Sequence, residues 1–180
     1  MKTVTLNKMI DKLMLKNLVP EVETDGIEIH SAEINRPALQ LSGYFEHFAC
    51  ERVQIIGYVE YSYLKSLDAK VKMANYERFM SSNIPCVIYA SRTEPDEEVM
   101  ELARKYHKPL LYSERTTSSL MAEIIRWLNV ELAPCISIHG VLVDVYGEGV
   151  LIMGESGIGK SEAALELLKR GHRLITDDVV

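Results

Sequence analysis

The stretch VLIMGESGIGKSEAALELLKRG, residues 150–171, decides the fold class of this 180-residue chain. The apolar run from Val150 to Met153 is typical of a strand, and the run from Ser161 to Arg170 is typical of a helix that Gly171 would end. Between them, GESGIGKS fits the pattern G-x-x-x-x-G-K-[ST], a strand–loop–helix turn that cradles phosphate groups. The stretch therefore predicts an α/β unit built around a phosphate-binding loop, or P-loop.

The residue types of this loop suit a bound nucleotide. Glycines let backbone N–H groups turn towards phosphate oxygens, some of them at φ angles that a side chain resists. The helix N-terminus adds partial positive charge, Lys160 adds a point charge for the β- and γ-phosphates, and the Ser161 hydroxyl is a ligand for Mg²⁺. A glycine-rich turn without a ligand is the alternative. We predict that the nucleotide-binding residues are Gly154, Glu155, Ser156, Gly157, Ile158, Gly159, Lys160 and Ser161.

Two acids and one histidine lie near the loop in the sequence. Asp177 and Asp178 end the strand-like run RLITDD, and His139 lies in the predicted strand just upstream of the loop. A carboxylate at a strand end beside a P-loop can hold a metal ion or take a proton from an attacking hydroxyl. A solvated strand end and a structural histidine are the alternatives, and the local sequence leaves both interpretations open.

The preceding 130 residues alternate segments typical of strands and helices. This alternation predicts βαβ units and a mostly parallel sheet. The pattern changes near Glu131, where Ala133 and Pro134 interrupt a helix and a stretch rich in β-branched residues predicts a β-hairpin with its turn at 146–149. We therefore predict an N-terminal α/β domain over 1–130 and a second domain beginning at 131. The predicted strands are 26–29, 52–56, 85–90 and 109–112, and the predicted helices are 6–13 with Thr5 as its cap, 68–81, one beginning near Asp96, and 117–130.

Composition excludes several classes of protein. The net charge of −6, from 20 basic and 26 acidic residues, argues against nucleic acid as a main partner, because phosphate-backbone binding needs a basic face. No apolar run approaches the roughly 20 residues that span a bilayer, and the N-terminus lacks a signal-peptide core. Cys50, Cys86 and Cys135 show no metal-binding spacing, so we expect buried thiols in a reducing compartment and a cytoplasmic protein without membrane contact.

Longer stretches of the chain resemble one known family. SIHGVLVDVYGEGVLIMGESGIGKSEAALELLKRGHRLITDD, residues 137–178, resembles the catalytic core of the HPr kinase/phosphorylases, the bifunctional bacterial HPr(Ser) kinases. INRPALQLSGYFEHF (34–48) followed by ERVQIIG (51–57) resembles the family's N-terminal pattern, except that Ala38 stands where the family usually has glycine. The resemblance therefore covers both predicted domains.

This resemblance implies an enzyme that uses ATP or pyrophosphate, with Mg²⁺, to phosphorylate a serine of the phosphocarrier protein HPr. It also implies the reverse phosphorolysis, in which inorganic phosphate attacks the phosphoserine and pyrophosphate is released. Asp178 would be the proton acceptor and donor, Lys160 and His139 the other catalytic residues, and Ser161 with Asp177 the metal ligands.

The resemblance has further implications for assembly and biological setting. It implies a homohexamer and a P-loop kinase domain related in fold to phosphoenolpyruvate carboxykinase. It implies a regulatory or assembly role for the N-terminal domain, and control of carbon catabolite repression and of sugar uptake by the phosphotransferase system.

Two other function classes stay open on the residues alone. One is another P-loop kinase or NTPase, although the chain contains no Asn-Lys-x-Asp motif of the kind that a GTPase uses to recognise guanine. The other is a nucleotide-sensing module without catalysis. Because 50 residues are few for an independent core, we expect residues 131–180 to be part of a longer catalytic domain. We also expect this fragment to keep the phosphate cradle without full kinase activity.

Overall fold

The computed structural model describes residues 2–177, 179 and 180, and its contacts divide the chain into two compact units. The first unit ends at Ala133, and the second extends from Pro134 to Val180. Among the described residues, no helix is both long and apolar enough to cross a membrane.

The first unit alternates strands and helices along most of its length, as predicted. Its elements are β1 (Val4–Thr5), α1 (Leu6–Leu13), β2 (Lys16–Asn17), β3 (Glu28–Ile29), β4 (Ile34–Asn35), α2 (Ala38–Leu41), β5 (Val53–Ile56), α3 (Tyr58–Ser66), α4 (Ala69–Met80), β6 (Val87–Tyr89), α5 (Glu97–Lys105), β7 (Leu110–Tyr112) and α6 (Thr117–Glu131).

Five of these strands form one sheet in the order β2-β7-β6-β5-β4. Strands β4 to β7 are parallel to their neighbours, and β2 is added antiparallel at the edge beside β7. The predicted α/β class with a mostly parallel sheet is therefore confirmed. Strands β1 and β3 pair separately as a small antiparallel sheet.

The five-stranded sheet is buried on both faces, because successive strand residues point to opposite sides. On one face, Val53 and Ile55 belong to a cluster with residues of α1 and α6. On the other face, Ile56 belongs to a cluster with residues of α3, α4 and α5. Burying a side chain the size of Phe79 in such a cluster stabilises the fold by about 1.5–3 kcal/mol.

Two local features of the first unit differ from expectation. Helix α3 was not predicted, because Tyr58–Ser66 lacks an apolar stripe of helical period and leaves Tyr58 and Val59 exposed. Of the three cysteines expected to be buried, only Cys86 is buried, while Cys50 is partly exposed and Cys135 is exposed. Burial raises the pKa of the Cys86 thiol to about 12.

The second unit is a three-stranded antiparallel sheet with one helix. It contains β8 (Gly140–Val145), β9 (Glu148–Met153), α7 (Lys160–Lys169) and β10 (Arg173–Thr176), and its strand order is β10-β8-β9. The hairpin turn is tighter than predicted: only Tyr146 and Gly147 form it, at φ 55° and 88°, because Glu148 already pairs with Val145. Positive φ at both central residues is typical of a two-residue type I′ turn.

Candidate phosphate-binding site

Residues 154–159 of the predicted P-loop motif lie between β9 and α7. Gly157 and Gly159 have φ angles of 82° and 98°, a conformation that disfavours side chains. At Gly154 the constraint is contact, since a Cβ there would lie 2.9 Å from the Ile158 Cγ2 atom and the exposed Ile158 side chain would have to move. The glycines of the motif therefore allow the backbone to bend sharply between the strand and the helix.

The N-terminus of α7 lacks the side-chain cap that three other helices of this chain have. Thr5, Asp68 and Thr116 accept backbone N–H groups at the starts of α1, α4 and α6, whereas α7 begins at Gly159 without any side-chain cap. The first N–H groups of a helix have no partner within it, and together with the helix dipole they form an anion-binding end. The start of α7 therefore has N–H donors for phosphate oxygens.

Lys160 lies at the first position of α7 and folds back over the loop. Its Nζ atom donates hydrogen bonds to the carbonyl oxygens of Gly154 and Glu155, both at 2.9 Å. The ammonium group is thus held against the loop that the glycines shape, close to where a phosphate would meet the helix N-terminus. Ser161 follows in the same turn and is exposed.

The sheet brings His139 and Asp177, two of the other predicted site residues, to the same edge. Strand β8 lies in the centre, with Gly140 at its start paired to Met153 at the end of β9, directly before the P-loop. On the other side of β8, β10 runs antiparallel and ends at Thr176, directly before Asp177. The ends of β9 and β10 and the start of β8 therefore meet at one edge of the sheet.

A further bridge extends this arrangement beyond the regular strands. His139 pairs with Val179, and Ile138 and Val180 exchange two backbone hydrogen bonds of 2.9 Å. The Thr176 hydroxyl also donates to the carbonyl oxygen of Val179 at 3.1 Å. His139 and Asp177 are both exposed at this edge. Asp178, the predicted proton acceptor, lies outside the described residues.

Carboxylates outnumber cationic side chains around the loop. Residues 131–180 include four basic and eight acidic residues, a net charge of −4. Three of the acids that the structure describes lie in or beside the predicted site: Glu155 in the loop, Glu162 in the first turn of α7, and Asp177. A polyphosphate bound here would therefore need a cation besides Lys160 to offset its charge.

Sequence analysis overlooked Glu162. Its Oε2 atom lies 3.6 Å from the position that a Cβ on Gly159 would take, so its carboxylate stands beside the last glycine of the loop. The signal was present as Gly-x-x-Glu, the spacing of a capping box, in which a glutamate three residues after the N-cap accepts the N-cap N–H.

Comparison with known proteins gives consistent matches to both units. Residues 4–128 match the family described as HPr Serine kinase N terminus, and residues 130–180 match the HPr Serine kinase C-terminal domain. The chain is 54% identical over 180 residues to the HPr kinase/phosphorylase of Lachnoclostridium phytofermentans, and 46% identical over 180 residues to that of Alkaliphilus metalliredigens. In each comparison the alignment covers 100% of this chain and 58% of the relative.

The chain thus spans somewhat more than half the length of these curated relatives. Among solved structures, the CBS and DRTGG domains of the regulatory region of Clostridium perfringens pyrophosphatase match at 16% identity with a TM-score of 0.45, over 72% of this chain and 47% of that one. That match is too distant to carry an argument. The two family profiles, which together extend from residue 4 to residue 180, show that the chain belongs to the HPr kinase/phosphorylase family.

Proposed function

We propose that the second unit provides the phosphate-binding part of a P-loop kinase domain that phosphorylates a serine of HPr and reverses the reaction by phosphorolysis. The observation that carries this proposal is the uncapped N-terminus of α7, which follows the P-loop and lies at the edge of the sheet where β9 and β10 end. The names of the relatives support the substrate and both directions of the reaction.

In the forward direction, the serine oxygen of HPr attacks the γ-phosphorus of ATP, and the bond from that phosphorus to the leaving ADP oxygen breaks. Asp178 accepts the serine proton. In the reverse direction, an oxygen of inorganic phosphate attacks the phosphoserine phosphorus, the bond to the serine oxygen breaks, and Asp178 returns the proton as pyrophosphate leaves. We assign Lys160 to the transferred and neighbouring phosphates and His139 to the same edge of the site, because positioning and charge stabilisation dominate phosphoryl transfer.

The residues present suit Mg²⁺ as the metal. The Ser161 hydroxyl and the Asp177 carboxylate are hard oxygen donors, and Mg²⁺ in kinase sites is held by one or two carboxylates together with substrate phosphates. Among the described residues, no group of three or more His, Cys, Asp or Glu side chains could hold a metal ion without such help. When bound, Mg²⁺ would neutralise phosphate charge at a site where acidic residues are in excess.

Membership of the family supports a proposal for the wider role. We propose that ATP or pyrophosphate is the phosphoryl donor, that the kinase domain is related in fold to phosphoenolpyruvate carboxykinase, and that the protein assembles as a cytoplasmic homohexamer. The first unit would serve regulation or assembly. The biological setting would be carbon catabolite repression and control of sugar uptake through the phosphotransferase system.

The direct test is incubation of the complete protein, with its whole catalytic domain, with γ-labelled ATP, Mg²⁺ and HPr, followed by identification of the labelled residue. Label on a serine of HPr supports the proposal. Label on a small-molecule acceptor would instead show another P-loop kinase, and binding of ATP without transfer to HPr would favour a nucleotide-sensing module. Substitution of Asp178 by asparagine should abolish transfer in both directions while ATP binding persists.

A further inference from the structure

Glu162 occupies a position from which it can oppose phosphate binding. It is the third residue of α7, and its Oε2 atom lies 3.6 Å from where a Cβ on Gly159 would be. The N–H groups of the same turn are those that we propose to hold phosphate. A carboxylate beside them both competes for the positive end of the helix and repels an incoming anion.

The first unit shows what a glutamate at this position can do. Gly57 precedes α3 as Gly159 precedes α7, and Glu60 stands three residues after Gly57 as Glu162 stands three residues after Gly159. Glu60 accepts the Gly57 N–H at 3.1 Å, which is the glutamate half of a capping box, since glycine has no side chain to supply the other half. The same chemistry at α7 would take an N–H group away from a phosphate.

At α7 the corresponding hydrogen bond from the Gly159 N–H to Glu162 is not made, because Gly159 adopts a different backbone conformation. Gly57 is extended, with φ −103° and ψ −171°, which is the usual conformation of an N-cap residue. Gly159 is left-handed, with φ 98° and ψ 22°, and no side chain caps the helix. The glutamate is therefore close to the loop without being committed to a hydrogen bond with its N-cap residue.

We propose that Glu162 competes with phosphate at the N-terminus of α7 and thereby makes phosphate binding depend on a divalent cation. The inference rests on the proposed function of the P-loop. A metal-free polyphosphate meets the full repulsion of Glu162, whereas a cation bound to the polyphosphate lowers its net charge and weakens that repulsion. Glu162 is thus a residue that sets ligand preference rather than one that reacts.

The test is titration calorimetry of the 180-residue chain with pyrophosphate, with excess Mg²⁺ or with EDTA. For Glu162→Gln we expect pyrophosphate affinity to rise about fivefold in EDTA and to change less than about twofold with Mg²⁺. Glu166→Gln is the matched control, because Glu166 lies one turn further along α7 and pairs with Arg170. It should leave both affinities unchanged.

Two outcomes overturn the proposal, and they are distinguishable. Unchanged or weaker metal-free binding by Glu162→Gln, with tight Mg²⁺-dependent binding by the unsubstituted chain, would refute the role of Glu162 alone. Absence of pyrophosphate binding by the unsubstituted chain under both conditions would refute the proposed function and this inference with it. Circular dichroism of each variant verifies that the fold is intact, which we expect because the Glu162 side chain is exposed.

Discussion

The two units each contain a helix that begins with the same spacing, Gly-x-x-Glu, directly after a strand or its loop. At Gly57 the turn is closed: Glu60 is only 4% exposed, accepts the Gly57 N–H and pairs with Arg36 at 2.7 Å. At Gly159 the turn is open, and Glu162 stands exposed beside it. One spacing therefore produces two different helix starts. We call Gly57–Glu60 the closed joint, which is structural, and Gly159–Glu162 the open joint, which is a candidate ligand site.

The length of the connection explains the difference. Only Gly57 separates β5 from α3, so the chain enters the helix in an extended conformation and Glu60 reaches back to it. Residues 154–159 separate β9 from α7, and two of their glycines have positive φ. Turns with left-handed residues of this kind are typical of anion-binding nests, in which successive N–H groups face an anion. The conformation of the N-cap glycine therefore indicates whether a helix start is free to bind phosphate.

The largest expected effect is the loss of the closed joint. Substitution of Glu60 by alanine leaves the Gly57 N–H and the Arg36 guanidinium without their buried partner. We expect the free energy of unfolding of the first unit to fall by about 2–3 kcal/mol, below the range for fully buried ion pairs because Arg36 is 42% exposed. Urea unfolding followed by the fluorescence of Trp127, which packs against the core of this unit, measures the change.

Glu162→Ala is the matched substitution at the open joint. Because Glu162 makes no capping bond and is exposed, the free energy of unfolding of the second unit should change by less than about 0.5 kcal/mol. Equal losses from the two substitutions would show that both glutamates act as caps, and the contrast between the two joints would be wrong.

The next effect concerns Lys160 in the open turn. Its replacement by alanine removes the cation that bonds to the loop carbonyl groups of Gly154 and Glu155 and that we assign to the phosphates. We expect the affinity for Mg²⁺-ATP to fall by roughly 10- to 100-fold, since bonds to charged groups contribute about 1.5–3 kcal/mol. Isothermal titration measures this, with Lys169→Ala at the other end of α7 as the control. Unchanged affinity in Lys160→Ala would contradict phosphate binding by the loop.

Sequence patterns predicted the open joint better than the closed one. The motif predicted β9, the loop and α7 because each residue type in it has a local reason: apolar strand residues, flexible glycines and good helix formers. The closed joint depends on Arg36, which lies 24 residues before Glu60, and no local pattern reports such a pair. Helix α3 was missed for the same reason, since its buried face depends on neighbours distant in sequence.

The arrangement of the site was only partly predictable. His139 and Asp177 are close to the loop in sequence. That they lie at the same edge of the sheet depends on the register of β8 with β9 and β10. The two-residue turn fixes the register of β8 with β9, whereas β8 and β10 are distant in sequence and no local turn fixes their register. The effect of Glu162 could not be predicted from the sequence either, because it depends on the backbone conformation of Gly159.

A smaller effect is expected from the glycine that keeps the second joint open. Alanine at Gly159 would be strained at φ 98°, by about 1 kcal/mol, and would move the backbone towards the extended form seen at Gly57. We expect pyrophosphate affinity to fall about fivefold, and Glu162→Gln in the same chain to restore part of it. Gly149→Ala is the control, because a Cβ there would only meet the Leu142 Cδ1 atom at 3.8 Å. A fall that Glu162→Gln does not relieve would argue against competition by the carboxylate.

The smallest expected effect is at a third helix start, that of α5. There the carboxylate of Asp96 neither caps the helix nor lies beside a candidate ligand site. Asp96 precedes α5 without capping it and instead bonds to Lys65 and, at 2.7 Å, to Lys72. These hydrogen bonds, chiefly that from Lys65, lower the pKa of the Asp96 carboxyl group. Its folded pKa lies below the unfolded value of about 4, so its contribution is present above that pH and is lost as the pH falls through the lowered pKa.

Asp96→Asn should therefore lower the free energy of unfolding by about 0.5–1 kcal/mol at pH 7, because the group is only partly buried and its ion pairs are screened. The difference from the unsubstituted chain should shrink in Trp127-monitored unfolding as the pH is lowered below about 4. A difference that stays constant with pH would mean that Asp96 acts through packing at the start of α5. The charge of the carboxylate would then matter only at the starts of α3 and α7.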